Sequence, residues 1–512
     1  MTKATPIILN PSDTIAILPS GARAGDDPLQ LGAPLAVNIM PGHKIARVAH
    51  KSGDAILKFG EKIGVATEDI TPGAHVHSHN CAFSDHDQSY QIGCDLDTAR
   101  AAVPKVSPRS FMGYKRRNGQ VGTRNFIALC ATVNCSATVI RQAAAELNAS
   151  GILEQYAHVD GVVGLTHSTG CGMSGMRDFG LLERVLWGYA THPNVGATIF
   201  VGLGCEMMQV ARMKEIFQAE GQKTNLDHFH SLAIQEVGGT RKTIEAIKAK
   251  VLDLLPEVNK ARREPCPASA LKIALQCGGS DGFSGITANP ALGKTADLLA
   301  GLGATAILSE TPEIYGAEQL LLRRAASQEV ADKLIAQIKW WEHYVEINNG
   351  SLDNNPSPGN KAGGLTTILE KSLGATAKSG STPLTAVYDY GEQVTEPGFV
   401  YMDTPGYDPV CATGQIAGGA HMVVFTTGRG SAFGSKPAPT IKVATNDRLF
   451  EAMPDDMDIN CGDILSAGIS LDAKGAEILD LILAVASGEP TKSELLGLGD
   501  HEFIPWQVGA VM

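Results

Sequence analysis

From about Asp13 to Asn80 the apolar residues fall in short runs, TIAILP, APLAVNI, GHKIARV, AILKFG, EKIGVA and TPGAHVHSHN, each cut off by Gly or Pro. None reaches helix length, so the pattern predicts a small all-β module over residues 1–80. Residues 81–110 turn polar and acidic and end in VPKVSPRS, the pattern of a linker. The rhythm then changes to strands alternating with helices: NFIALCATVNC, SATVIRQAAAELNA, GVVGLTHSTGCG, RDFGLLERVLWGYA and ATIFVGLGCE. Such alternation predicts an α/β domain over 111–265 with a mostly parallel sheet. After RREPCPAS the alternation restarts with LKIALQCGGSD, a helix near ANPALGKTADLLAGL, the strand TAILSE and a long helix from about Gly316 to Ile347. The strands PLTAVYDY, GFVYMDTP, HMVVFTTGRG and TIKVATN and the closing helix AEILDLILAVAS complete a second α/β domain over 266–512. The predicted fold is therefore α/β multidomain, a small N-terminal all-β domain followed by two α/β domains.

Composition narrows the function. A chain of 512 residues, 44% hydrophobic and 19% charged, folds into several cores and is neither disordered nor a disulfide miniprotein. Its net charge of −12, with no long Lys/Arg block, argues against nucleic acid or an anionic membrane surface as partner and favours a small molecule. The first residues lack the apolar core of a signal peptide, and no run approaches the roughly 20 apolar residues of a membrane span. The expected location is the cytoplasm, where the ten cysteines serve as free thiols, metal ligands or reactive groups. Homo-oligomerisation is left open.

Four of those thiols share one context. Cys135, Cys171, Cys205 and Cys277 each lie just past a buried-strand pattern, and ligand crevices of parallel sheets lie outside the carboxyl ends of the strands. Thiols placed there by different strands can converge and, with His167 and Glu206 beside them, bind iron as a single ion or a cluster. The competing reading is that each is a small buried hydrophobe, which is how the other six cysteines are read. A second constellation is His75, His77 and His79, whose period-two spacing on an extended strand puts three imidazoles on one face for metal or proton chemistry. Its alternative is a solvated polar face. His43 and Lys44 follow a turn and reach either a ligand or solvent.

Third come the glycine-rich loops 122–125 (GTRN), 277–290, 355–364 and 426–439. With Lys442 just beyond the last of them, they offer Arg124, Lys361, Arg429 and Lys436 as cations, and Asn125, Ser280, Asp281, Ser284, Thr287, Asn289, Asn360 and Thr427 as hydrogen-bonding groups, for an anionic polyol. Each loop alone also reads as a turn. None has a P-loop or GxGxxG spacing, which argues against a nucleotide.

Taken together, GYKRRNGQVGTRN, TVNC, HSTGCG, GLGCE, QCGGSDGFSGITANP, NPSPGNKAGG, FTTGRG and DINCGD resemble the altronate and galactarate dehydratase family of sugar-acid hydro-lyases over nearly the whole chain. HVHSHN and EIYGAEQLL resemble its altronate branch more than its galactarate branch. The resemblance implies that residues 1–80 form an SAF, or β-clip, domain. It carries over Cys135, Cys171, Cys205, Cys277, His167, Glu206, Asp281, Glu310, Asn360, Lys361 and Arg429 as family positions without assigning their roles. It also implies an iron requirement, Fe2+ with Mn2+ as a substitute, and a 2-keto-3-deoxy sugar acid as product.

The chemistry explains such a site. Removing the proton next to a carboxylate builds an enediolate whose charge needs a cation or fixed donors, while an acid helps the C3 hydroxyl leave. The resulting assignment places metal at Cys135, Cys171, Cys205, Cys277 and His75, proton exchange at His77 or His167, and Lys361 with Arg429 on the carboxylate. Arg124, Asn125, Ser280, Asp281, Asn360, Thr427 and Lys442 complete the substrate pocket. An iron–sulfur electron-transfer protein and a non-catalytic sugar-acid sensor remain the readings from other classes.

Overall fold

The structure, a computed structural model, describes residues 5–86 and 88–511. The N-terminal region holds two three-stranded antiparallel sheets. One pairs Ile15–Ile17, Lys44–Ala46 and His75–Val76; the other pairs Ala55–Lys58, Glu61–Ala66 and Cys81–Ala82. APLAVNI forms no strand; only a single bridge joins Ala22 and Ile39 there. Ile15, Ile17, Ile56, Ile63 and Val76 make a small core that continues into Ile286, Ala317 and Leu373 of the C-terminal region.

Two parallel sheets follow, as the alternation predicts. The four-stranded sheet runs Gly161–Leu165, Phe126–Ala131, Val195–Gly202, His230–Ala233. The seven-stranded sheet runs Leu384–Tyr388, Gly398–Met402, Thr305–Leu308, Lys272–Cys277, Met422–Thr427, Thr440–Ala444, Ile459–Asn460. In the larger sheet Lys272–Cys277 is central. The chain leaves it for Thr305–Leu308 on one side and later returns to Met422–Thr427 on the other, which opens a crevice at the carboxyl ends of these strands.

Alternate residues of the central strands feed two cores. Ile273, Leu275, Ala306 and Leu308 face one. Ala274, Ile307, Val400, Val423 and Phe425 face the other, which also takes in Phe126, Ala128, Phe200 and Tyr189. The two α/β regions are thus welded through one apolar layer. A three-stranded antiparallel stem, Arg263–Pro267 beside Ser110–Lys115 and Val121–Gly122, closes the entry and exit of the second region. Arg263–Pro267 carries two prolines and is tolerated as an edge strand, where ladder donors are dispensable.

The long helix expected from Gly316 to Ile347 is two helices, Gln319–Leu322 and Gln328–Ile347. Ser327 stands between them in extended backbone and accepts a hydrogen bond from the Val330 amide, an N-cap that restarts the helix. Among the described residues no helix is long and apolar enough to cross a membrane.

Candidate active site

The carboxyl ends of the central strands meet in a cavity of about 560 Å³. Cys277, Gly278 and Gly279 end the Lys272–Cys277 strand; Pro312 and Glu313 follow Thr305–Leu308; Pro405, Gly406, Tyr407 and Asp408 follow Gly398–Met402. Asn354, Asn355, Ser357, Asn360 and Lys371 supply the facing wall. At its floor Cys277, Glu310 and Glu313 bring a thiol and two carboxylates within 4.8 Å of one another, the only such metal-competent group among the described residues.

Two buried lysines balance that charge. Lys378 Nζ lies 2.9 Å from Cys277 Sγ and 3.2 Å from Glu310 Oε2. Lys371 pairs with Glu313 Oε1, which also accepts from Asn355 Nδ2 at 2.7 Å. Glu310 adopts a left-handed φ of 73°, held by the Thr404 hydroxyl on its amide at 2.9 Å. A non-glycine residue there is strained, and such strain concentrates at working sites. Its Oε1 is buried without a hydrogen-bond partner, an orphan that a ligand normally satisfies.

Burial dominates the titration. It pushes the Glu310 carboxyl up to about 8, with the Glu313 charge adding to the shift. It pushes the Cys277 thiol to about 12 and Asp408, again with Glu313 adding, to about 6. Desolvation lowers the Lys378 ammonium's pKa, but the ionised forms of Cys277 and Glu310 more than offset it and raise it overall. A thiol, two carboxylates and an unsatisfied oxygen form a donor set that fits a divalent ion of intermediate softness.

A second cluster sits on the N-terminal region. His43, His75, His77 and His79 pack with ring centroids 5.2–5.5 Å apart. The expected long strand stops at Val76; a turn, with Asn80 and Cys81 amides on the His77 carbonyl, gathers the rings instead. His77 Nε2 lies 2.8 Å from the Lys361 carbonyl, and His43 Nε2 lies 3.3 Å from that of Ala362. Desolvation first, then the neighbouring imidazoles, pushes His75 down to about 3, so it stays neutral. The cluster therefore lies against the segment that contributes Asn360 to the cavity. Docking there is close: a Cβ on Gly282 would stand 2.2 Å from the Gly42 carbonyl oxygen.

The structure separates the four thiols. Cys277 is buried at the floor of the cavity, whereas Cys135, Cys171 and Cys205 are exposed on loops at the carboxyl end of the other sheet. The strands that precede Cys277 and the other three belong to different sheets, and among the described residues the four sulfurs form no group within 4.8 Å. Asn360 lines the cavity; Lys361 and Arg429 adjoin it, the latter with its Cβ against Gly279.

Other predicted groups are committed to the fold. Both ring nitrogens of His167 engage backbone, Nε2 with the Ala131 carbonyl at 2.8 Å and Nδ1 with the Thr169 amide at 3.3 Å. Arg124 spends its guanidinium on Glu494 and on the carbonyls of Thr123, Val485 and Glu489. Asn125 ties Arg116 to the carbonyls of His158 and Val258. Lys442 is buried on the Ser431 carbonyl and Asp456. Asp281 accepts from Ser284, Thr445 and Asn446 and organises its own loop. Ser280 and Thr427 donate to the carbonyls of Gly278 and Gly279.

Because Arg124 is almost fully buried, Arg124→Ala strands Glu494 and several carbonyls. It is expected to lower stability by about 3 kcal/mol or more, read by urea denaturation, and to leave KM for substrate unchanged.

Glu313, Lys371, Lys378 and Asp408 were not singled out from the sequence. Lys371 and Lys378 belong to EKSLGATAKSG, where a seven-residue spacing puts both on one helical face, a signal shared with any cationic surface stripe.

A doubly wound parallel sheet with a polar, metal-competent crevice at its switch point defines the class, an α/β enzyme of small polar metabolites. Family models locate it further. "Altronate/galactarate dehydratase SAF domain" matches residues 4–84, "D-galactarate dehydratase/Altronate hydrolase, second domain" residues 113–259, and "D-galactarate/Altronate dehydratase, C-terminal" residues 268–511. The chain belongs to the D-galactarate/altronate dehydratase family. It is 38% identical over 464 residues to an altronate dehydratase of Bacillus subtilis (strain 168), covering 89% of each chain. It is 34% identical to a galactarate dehydratase (L-threo-forming) of Escherichia coli (strain K12), covering 96% of this chain and 95% of the relative. It is 32% identical to the β subunit of a (2R)-sulfolactate sulfo-lyase of Chromohalobacter salexigens, covering 78% of this chain and 98% of that subunit.

Proposed function

We propose that this chain is a cytoplasmic sugar-acid hydro-lyase that converts D-altronate to 2-keto-3-deoxy-D-gluconate and water, in the crevice above Cys277. One observation carries the reading: a polar cavity at the switch point has a thiol, two carboxylates and two ammoniums converging at its floor. Galactarate is the nearest alternative substrate. The relative named for (2R)-sulfolactate also supports a core adapted to 2-hydroxy acids, since sulfolactate and altronate share the carboxylate and the C2 hydroxyl.

Cys277, Glu310 and Glu313 would hold Fe2+, with Mn2+ as a substitute. The ion would supply a Lewis acid for the enediolate charge. The chain's own groups do the rest. Lys371, in the cavity wall, offers a fixed ammonium to the substrate carboxylate, and Lys361 and Arg429 add charge at the rim. Asn355, Asn360 and Ser357 offer donors and acceptors to the hydroxyls. Asp408, whose pKa near 6 suits proton exchange at neutral pH, takes the C2 proton and passes it to the departing C3 hydroxyl, which leaves as water, and the resulting enol tautomerises to the 2-keto acid. His77 stands behind Lys361 and orders that wall through its carbonyl.

A base at Asp408 is active only when ionised, so kcat/KM is expected to fall as pH drops through about 6. Asp408→Asn is expected to cost about 10²–10⁴-fold in kcat and to abolish that acid limb, measured as pH–rate profiles of both proteins. The function itself is tested by incubating anaerobically iron-loaded protein with D-altronate, galactarate and related acids and measuring 2-keto-3-deoxy product. Formation from altronate is expected; inactivity on every sugar acid overturns the reading.

A further inference from the structure

We propose that Cys135, Cys171 and Cys205 together hold a [4Fe–4S] cluster at the carboxyl end of the four-stranded sheet, with the fourth iron free of protein ligands. The site is distinct from the cavity above Cys277, and its evidence is independent of the substrate.

The three thiols come from three neighbouring strands. Cys135 follows Phe126–Ala131, Cys171 follows Gly161–Leu165 and Cys205 follows Val195–Gly202, and Phe126–Ala131 is the middle strand. Their loops are stitched together within a few residues of each sulfur. The Asn134 amide donates to the Thr169 carbonyl at 2.9 Å, and the Met207 and Met208 amides both donate to the Gly170 carbonyl at 3.1 Å. Gly170 itself packs on the next loop so closely that a Cβ there would stand 2.2 Å from the Thr132 carbonyl oxygen. Gly170, Gly172 and Gly204 all have positive φ, which lets each loop curl tightly beside its cysteine.

Exposure separates these thiols from the rest. Of the ten free cysteines only Cys94, Cys135, Cys171 and Cys205 are exposed, and three of those four share this one face. A thiol used as a packing hydrophobe is buried, as Cys130 is in the strand beneath. The neighbouring polar groups are already spent. Glu206, directly after Cys205, is buried and accepts from Thr132 Oγ1 at 2.8 Å and from the Gly204 amide at 2.6 Å. His167 is committed to backbone at both nitrogens. With Glu206 and His167 committed, the three sulfurs are the soft ligands these loops offer among the described residues, Cys205 Sγ accepting only a long contact from Gln235 Nε2 at 3.6 Å.

Spacing argues against a single ion. Three thiolates on one tetrahedral ion stand about 3.8 Å apart, from a metal–sulfur bond near 2.3 Å. These three sulfurs form no group within 4.8 Å. A cubane spreads its cysteines more widely, each on a different iron, and takes soft thiolate ligands. With three cysteines, one iron has only inorganic sulfide behind it and an open position for an oxygen ligand such as a hydroxy-carboxylate. The face also adjoins the catalytic region. Arg177, six residues beyond Cys171, lays its guanidinium 3.9 Å over the ring of Trp340, and Val345 of the same helix lines the cavity.

The test is iron and acid-labile sulfide content of the full chain, purified or reconstituted anaerobically with iron and sulfide. About four of each per chain are expected, with a sulfur-to-iron charge-transfer band and an EPR signal on one-electron reduction. Cys135→Ser, Cys171→Ser and Cys205→Ser should each lose labile sulfide, while Cys94→Ser and Cys277→Ser keep it. Alkylation mapping of the unmodified protein covers the case of variants that fail to fold. Cys135, Cys171 and Cys205 should be protected when loaded and reactive after chelation. Absence of labile sulfide after reconstitution, zinc bound without sulfide, or loading retained in the three variants overturns the proposal. Because the readout is sulfide and not turnover, a missing cluster and a missing dehydratase activity are told apart.

Discussion

Glu370→Ala is expected to lower the unfolding free energy by about 3–5 kcal/mol, the range for breaking a buried ion pair. Glu370 is fully buried and binds two lysines of the N-terminal region, Lys44 Nζ at 2.8 Å on Oε2 and Lys58 Nζ at 2.8 Å on Oε1. Thr366 completes its shell through amide and hydroxyl. Removing the carboxylate leaves two ammoniums in an apolar interface, with only the Gly364 carbonyl for Lys44. Urea denaturation measures the loss. The N-terminal region should also become the first to yield in limited proteolysis, since this triad joins it to the C-terminal region.

The same carboxylate fixes a pH dependence. Burial alone would raise its pKa, but Lys44 and Lys58 outweigh that and hold Glu370 far below the usual carboxylate range. The unfolded chain therefore binds the proton first as acid is added. The triad's stabilisation is complete above the ordinary glutamate pKa near 4.5 and is lost progressively as pH falls below it. Glu370→Ala should flatten that part of the stability curve.

Lys371→Met is expected to cut kcat on altronate by about 10²–10³-fold, the range for removing one preorganised group that stabilises developing charge. Lys371 is buried, pairs with Glu313 and lines the cavity. Methionine keeps its stem and volume, so packing against the sheet survives while the charge goes. Glu313 retains Asn355. Because Glu313 loses its buried ion-pair partner, Tm is expected to fall as well; steady-state kinetics on protein that the melt shows to be folded separates the two effects, a large fall in kcat supporting the role and a lowered Tm with unchanged kcat pointing to a merely structural one.

How far the site was legible can be judged residue by residue. Cys277 stood out because a buried-strand pattern ending in Cys-Gly-Gly marks a strand's carboxyl end, and sheet topology does the rest. Glu310 entered only through family resemblance. Lys371, Lys378 and Asp408 lie on segments whose local pattern is that of ordinary helices, and what brings them to the candidate site is which strand end they face, a tertiary fact. Arg124 and Lys442 misled for the converse reason. A cation in or beside a glycine-rich loop reads alike whether it meets a ligand or, as here, a half-buried carboxylate and backbone carbonyls.

The fold shows the same division. Strand and helix alternation gave both parallel sheets, because period and length are written locally. The apolar layer that joins them was not visible, since Phe126 and Phe425 carry the same signal whether they meet within a domain or between two. The histidines came together as a four-ring cluster through a turn and through His43, not through the extended strand their spacing suggested.

Cys277, Glu310 and Glu313 are the proposed metal site beneath the cavity. It is tested most directly by anomalous diffraction at the iron edge from anaerobic, iron-loaded crystals that turn over altronate. A peak is expected among Cys277 Sγ and the carboxylates of Glu310 and Glu313, lost in Glu310→Gln. Crystals that convert altronate while showing no iron at that position would contradict it.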